Sequence, residues 1–163
     1  MPLTKEQIAW GLLRISLGLT FFWAFIDKLF GLGFATKQAN AWLAGGSPTA
    51  GFLTNATKGP FKEIFAGLSG QAWVDWLFMI GLLCIGVSLI IGVGMKVAAW
   101  TGSLLMLLMY LALMPPANHP FIDDHIIYAI ALMALMFSGA NKHLGLGEQW
   151  TNCPLVKKFP LLE

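Results

Sequence analysis

The sequence predicts an all-α integral membrane protein: a four-transmembrane-helix antiparallel bundle whose long first extracytoplasmic loop contains short interfacial helices. Two observations carry this. Of the 163 residues, 57% are hydrophobic and only 11% charged, against about 25% charged in an ordinary soluble domain. And four apolar runs, roughly 8–30, 72–93, 97–114 and 121–139, punctuate the chain, each close to the ~20 residues that a bilayer core demands. Lipid offers backbone groups no partner but each other, so such runs are helices. No alternating strand pattern argues for a barrel. The length suits one domain, 1–163. A net charge of +2 with no dense basic cluster excludes nucleic acid as a partner.

The first run ends where Gly31 and Gly33 loosen the helix. The second and third are joined by a tight hairpin, Gly92-Val-Gly94-Met-Lys96. Pro115-Pro116 stops the third, Pro120 marks the start of the fourth, and Gly139 closes it. The connection from Gly31 to Gln71 is too long to be a mere link. It holds Trp42, the turn-rich AGGSPTAG, and a stretch from Pro60 to Leu68 in which Phe61, Ile64, Phe65 and Leu68 share one helical face. That pattern suits a short helix lying at the membrane interface or capping the bundle. Lys96 in the second connection, with Lys142, Lys157 and Lys158 in the tail, puts both termini in the cytoplasm. The third connection, PPANHPFIDD, has no Lys or Arg and falls outside.

The ionisable groups inside the spans are the candidates for function, because a charge in hydrocarbon costs roughly 2.5–3.5 kcal/mol on insertion scales. At 100° per residue, Arg14, Gly18, Phe21, Phe25 and Lys28 follow one line of the first helix, and Ser16, Thr20, Trp23 and Asp27 follow another. The second stripe is expected to face other helices. Arg14 reads as a snorkelling anchor, or else as a cation reaching a buried acid or a ligand carbonyl. Lys28 suits a helix C-terminus, but Asp27 does not. Asp27 therefore needs a partner, with a first-loop lysine or His125 as candidates. Asp75, Asp123 and Asp124 open helices, where the dipole favours acids. In an antiparallel bundle Asp27, Lys28, Asp75, Asp124 and His125 gather at the outer end. Asp123, Asp124 and His125 fan around their helix, so no metal site is expected. The histidines all lie at or beyond helix ends, so no haem is expected. Cys84 and Cys153 form no redox motif.

RISLGLTFFWAFIDKLFGLGFAT, AWLAGGSPTAGFL, PPANHPFIDDHIIYA and HLGLG, in that order over about residues 10–160, resemble the DoxD-like branch of the DoxX superfamily. The resemblance implies a multi-pass protein of a prokaryotic cell membrane. It also implies an oxidoreductase subunit similar to thiosulfate:quinone oxidoreductase, passing electrons from thiosulfate or a similar small anionic sulfur compound to membrane quinone, with a DoxA-like small subunit as partner. On that reading Asp27, Lys28, Asp124 and His125 are the catalytic candidates, for anion binding and proton relay. Trp23, Trp42 and Tyr128 wall the quinone, the only cofactor implied. Glycines within the helices, Gly18, Gly86 and Gly102, allow either homo-oligomer contacts or internal packing. The rival reading is a noncatalytic membrane scaffold subunit of a redox complex. A third is a small-solute or proton path lined by Asp27, Ser16 and Thr20.

Overall fold

A computed structural model describes residues 2–163. It is helical throughout, with no strand among the described residues. Three helices are long and apolar enough to cross a membrane: α1 (Lys5–Phe30), α4 (Ala72–Ile91) and α5 (Met95–Leu113). Between α1 and α4 lie two short helices, α2 (Ala50–Asn55) and α3 (Lys62–Ala66), with single 3-10 turns around them.

The fourth expected span is shorter than the sequence suggests. The run 121–139 contains α6 (Asp124–Ser138), 15 residues, or about 22 Å at 1.5 Å per residue, less than the ~30 Å hydrocarbon core. Asp123 sets its start. Its carboxylate caps the helix by accepting from the His125 and Ile126 amides, which leaves Phe121 and Ile122 outside. Gly139, left-handed at φ 69°, ends it. The amphipathic stretch after Pro60 is also reduced, to a 3-10 turn and the five-residue α3.

Close glycine contacts hold the bundle together. A Cβ on Gly18 would sit 2.8 Å from the Ile90 amide, and one on Gly86 2.7 Å from the Phe22 amide. Only glycine lets α1 and α4 approach so closely. On Gly102 a Cβ would meet Leu132 at 2.9 Å. All three glycines thus serve packing within the chain. Across the α5–α6 contact the Ser103 hydroxyl donates to the Ala129 carbonyl at 3.1 Å. The shared core is Leu17, Phe21, Leu82, Leu89, Met106 and Leu132.

Arg14 corrects the snorkelling expectation. It is fully buried. Its guanidinium donates to the carbonyls of Leu89 and Ile90 at the C-terminal end of α4, the latter at 2.9 Å, and to those of His143 and Leu144 beyond α6, at 3.0 and 2.9 Å. A cation is favoured at the negative end of a helix dipole, and here it answers carbonyls that helix ends leave unpaired. Gly92 and Gly145 make room, since a Cβ on either would press on the guanidinium at 3.2 and 2.9 Å.

The polar stripe of α1 is corrected too. Ser16, Thr20 and Trp23 are exposed on the outside of the bundle, and the Thr20 hydroxyl is spent on the Ser16 carbonyl of its own helix at 3.1 Å. Arg14, Gly18 and Phe21 form the inward face. Within a single chain, Ser16 and Thr20 therefore line no path through the bundle.

The tail carries α7 (Gly147–Thr151) and α8 (Pro154–Lys158). It docks on the start of α5, where the Lys96 amide donates to the Glu163 carbonyl at 2.8 Å and the Lys96 ammonium pairs with the Glu163 carboxylate at 2.8 Å.

Candidate functional site at the loop end of the bundle

Asp27 is answered by its own helix's exit loop. Gly31 closes α1 in the left-handed conformation at φ 66° and turns the chain back. The carboxylate then accepts from the amides of Phe34, Ala35 and Thr36 at 3.3, 3.0 and 2.8 Å. Asp27 is 1% exposed because this loop covers it. Neither a first-loop lysine nor His125 is its partner. With three amide bonds converging on one carboxylate, Asp27 works as a clasp for the loop.

Asp75 is a second clasp. Its carboxylate accepts from the Ser47 hydroxyl at 2.9 Å, the Thr49 hydroxyl at 2.5 Å and the Thr49 amide at 3.2 Å. Helix-dipole stabilisation alone does not describe it. The two acids pin the loop at 34–36 and at 47–49, and between those points the chain forms the wall of a cavity.

That cavity is a vestibule of about 420 Å³, lined by Lys28, Thr36, Asn40, Ser47, Pro48 and Phe52 among others. Beside it runs an apolar groove of about 560 Å³ between α4 and α5. Trp73, Leu77, Gly81 and Cys84 of α4 form one wall. Val97, Thr101, Leu104 and Leu108 of α5 form the other. Phe65 and Leu68 close its loop end, so the apolar face predicted for that stretch is put to use, while Ile64 points out, 67% exposed. Trp73, Leu77, Leu104 and Leu108 also belong to the exposed outer surface, so the groove opens sideways on the outside of the bundle.

Lys28, Pro48 and Phe52 line both cavities. Lys28 is the one cation among these residues. Its ammonium lies 5.8 Å from the centre of the Phe78 ring, a cation–π distance, and it forms no ion pair among the described residues. Lys28 is the single predicted site residue that both cavities use.

The other predicted residues fall elsewhere. Asp124 is exposed. His125 pairs through Nδ1 with Asp123 at 2.8 Å, which ties it to the helix cap. Trp23 stacks edge-on against Phe34 at 5.1 Å, Trp42 against Trp76 at 4.6 Å, and Tyr128 is on the surface. None of Trp23, Trp42, Asp124, His125 and Tyr128 lines the vestibule or the groove. Asn40, Ser47, Phe52, Phe78 and Gly81 went unnoticed in the sequence. A 3–4 spacing of Trp73, Leu77, Ile80, Gly81 and Cys84 was available as a signal, but α4 is apolar all round and gives such a stripe no contrast.

Fold and site together define the class: an all-helical chain with three helices of membrane-spanning length and polarity, and a two-part cavity around one lysine. Comparison with protein-family models, curated proteins and solved structures finds no match.

Proposed function

We propose that this chain is a membrane oxidoreductase subunit that passes electrons from thiosulfate, or a similar small anionic sulfur compound, to a membrane quinone. The observation that supports the reading is the position of Lys28 between a polar vestibule and an apolar groove open to lipid. A quinone needs an apolar slot with few, well-placed hydrogen-bond donors. The groove supplies the slot, and Lys28 supplies a donor at its head. The vestibule is where a small anion would meet the same ammonium, from the side opposite the lipid.

Two thiosulfate ions each give up one electron and join through a new S–S bond as tetrathionate. The quinone takes those two electrons and two protons and leaves as quinol. In this scheme Lys28 orients both reactants and stabilises negative charge developing on the quinone oxygen. Asp27 and Asp75 hold the loop wall and are positioning residues. Asp124 and His125 stand outside both cavities, and the reading gives them no part. A DoxA-like small subunit, a prokaryotic cell membrane and cytoplasmic termini belong to the same proposal.

Turnover tests it. The purified chain in liposomes containing quinone, given thiosulfate with and without a DoxA-like partner, is expected to produce quinol. Lys28→Met should remove at least nine-tenths of the rate. Gly81→Leu should do the same by filling the groove, since a Cβ on Gly81 meets nothing within 4 Å. No quinol from the wild-type chain in either condition rejects the catalytic reading and leaves the scaffold.

A further inference from the structure

We infer that the groove between α4 and α5 also binds a single-chain carboxylate amphiphile, a free fatty acid from the bilayer, with its head on Lys28 and its tail along the groove. For its consequence, competition with quinone, the inference rests on the reading just given; the binding itself does not.

Three observations carry it. The cavities adjoin, sharing Lys28, Pro48 and Phe52, so Lys28 has a polar cavity on one side and an apolar groove on the other. The apolar groove is elongated along the helices. From Trp73 to Cys84 it follows α4 for about 17 Å at 1.5 Å per residue, and its volume is that of a single small-ligand pocket. And Lys28 makes no direct ion pair among the described residues, although the charge of Asp27 lies close enough to act on it. Its sequence neighbour Asp27 has both carboxylate oxygens engaged by the amides of 34–36, and no other carboxylate pairs with it among the described residues. A half-buried ammonium beside lipid gains from an anion that arrives with its own apolar tail. A neutral amphiphile fills the groove but gives the ammonium no direct ion pair.

The experiment uses the full chain in phosphatidylcholine nanodiscs with palmitate carrying a diazirine in mid-chain. After illumination, the modified peptides are identified by mass spectrometry. Adducts are expected to concentrate on Leu77–Cys84 of α4 and Leu104–Met109 of α5. The methyl ester of the same probe should label there at least fivefold less. Lys28→Met should lower the palmitate labelling to the level of the ester, Lys28→Arg should keep it, and Gly81→Leu should remove both. Labelling spread evenly over the lipid-facing surface, Phe137 included, overturns the proposal. So does equal labelling by acid and ester in the wild-type chain. Binding of palmitate by a chain that reduces no quinone rejects the oxidoreductase reading alone. Quinone turnover that palmitate does not slow rejects the competition alone.

Discussion

At the scale of single residues, two buried charges, Arg14 and Asp27, are answered by backbone alone, whereas Asp75 is held mainly by hydroxyls. Arg14 holds four carbonyls and Asp27 three amides. For Asp27 the need for a partner was legible in the sequence, because an anion at a helix C-terminus in an apolar run is too costly to leave unanswered; Arg14 read first as a snorkelling anchor, which needs none. The actual partners of both were not legible, because carbonyls at a helix end and amides in a loop carry no side-chain signature. Each has a measurable consequence. A buried polar group stripped of its partner costs roughly 1–3 kcal/mol. Arg14→Met, which strands carbonyls of α4 and the post-α6 loop, is therefore expected to lower stability by at least that amount in thermal unfolding. An unchanged melting temperature would return Arg14 to the role of surface anchor. Asp27→Asn keeps one acceptor oxygen and loses the other, at roughly 1.5–3 kcal/mol for a charge-assisted bond. Hydrogen exchange should quicken at the amides of Phe34, Ala35 and Thr36 and stay unchanged in α5.

At the scale of elements, composition identified the long helices but not the site between two of them. α1, α4 and α5 follow from apolar length and from glycines at their ends. α6 is where length misled: the apolar run starts at Phe121, but the capping carboxylate of Asp123 starts the helix three residues later. The groove was hidden for the reason that made α4 easy to find, since a helix apolar on every side does not announce which side is hollow. The tail has a pH-dependent element. The hydrogen bond from Lys96 holds the Glu163 carboxyl below its ordinary range, outweighing the opposing effect of burial. A carboxyl depressed in the folded state contributes stability above its unfolded pKa and loses it as pH falls through the folded value. Docking of the tail on α5 should therefore loosen on acidification below the usual glutamate range. Hydrogen exchange at the Lys96 amide reads this directly, and Glu163→Gln should abolish the pH dependence while leaving exchange in α4 unchanged.

At the scale of the whole molecule, the two ends of the bundle do different work. One end is sealed by Arg14, its glycine cradle and the docked tail. The other is opened by a loop that two carboxylates hold in place above Lys28. If the sealed end faces the cytoplasm, a cysteine at Asn55 is labelled by an impermeant reagent on intact cells and one at Lys157 is not, in a background lacking the native cysteines. The reverse pattern turns the molecule over and with it the side from which an anion arrives. The central claim is narrower than orientation or turnover: the groove headed by Lys28 is a quinone site. Equilibrium binding of decylubiquinone to the chain in phosphatidylcholine nanodiscs tests it most directly. The account predicts saturable binding that weakens at least tenfold in both Lys28→Met and Gly81→Leu and is unchanged in Phe137→Leu, on the exposed face of α6. Binding of equal strength in all four proteins, or none in the wild type, would contradict it.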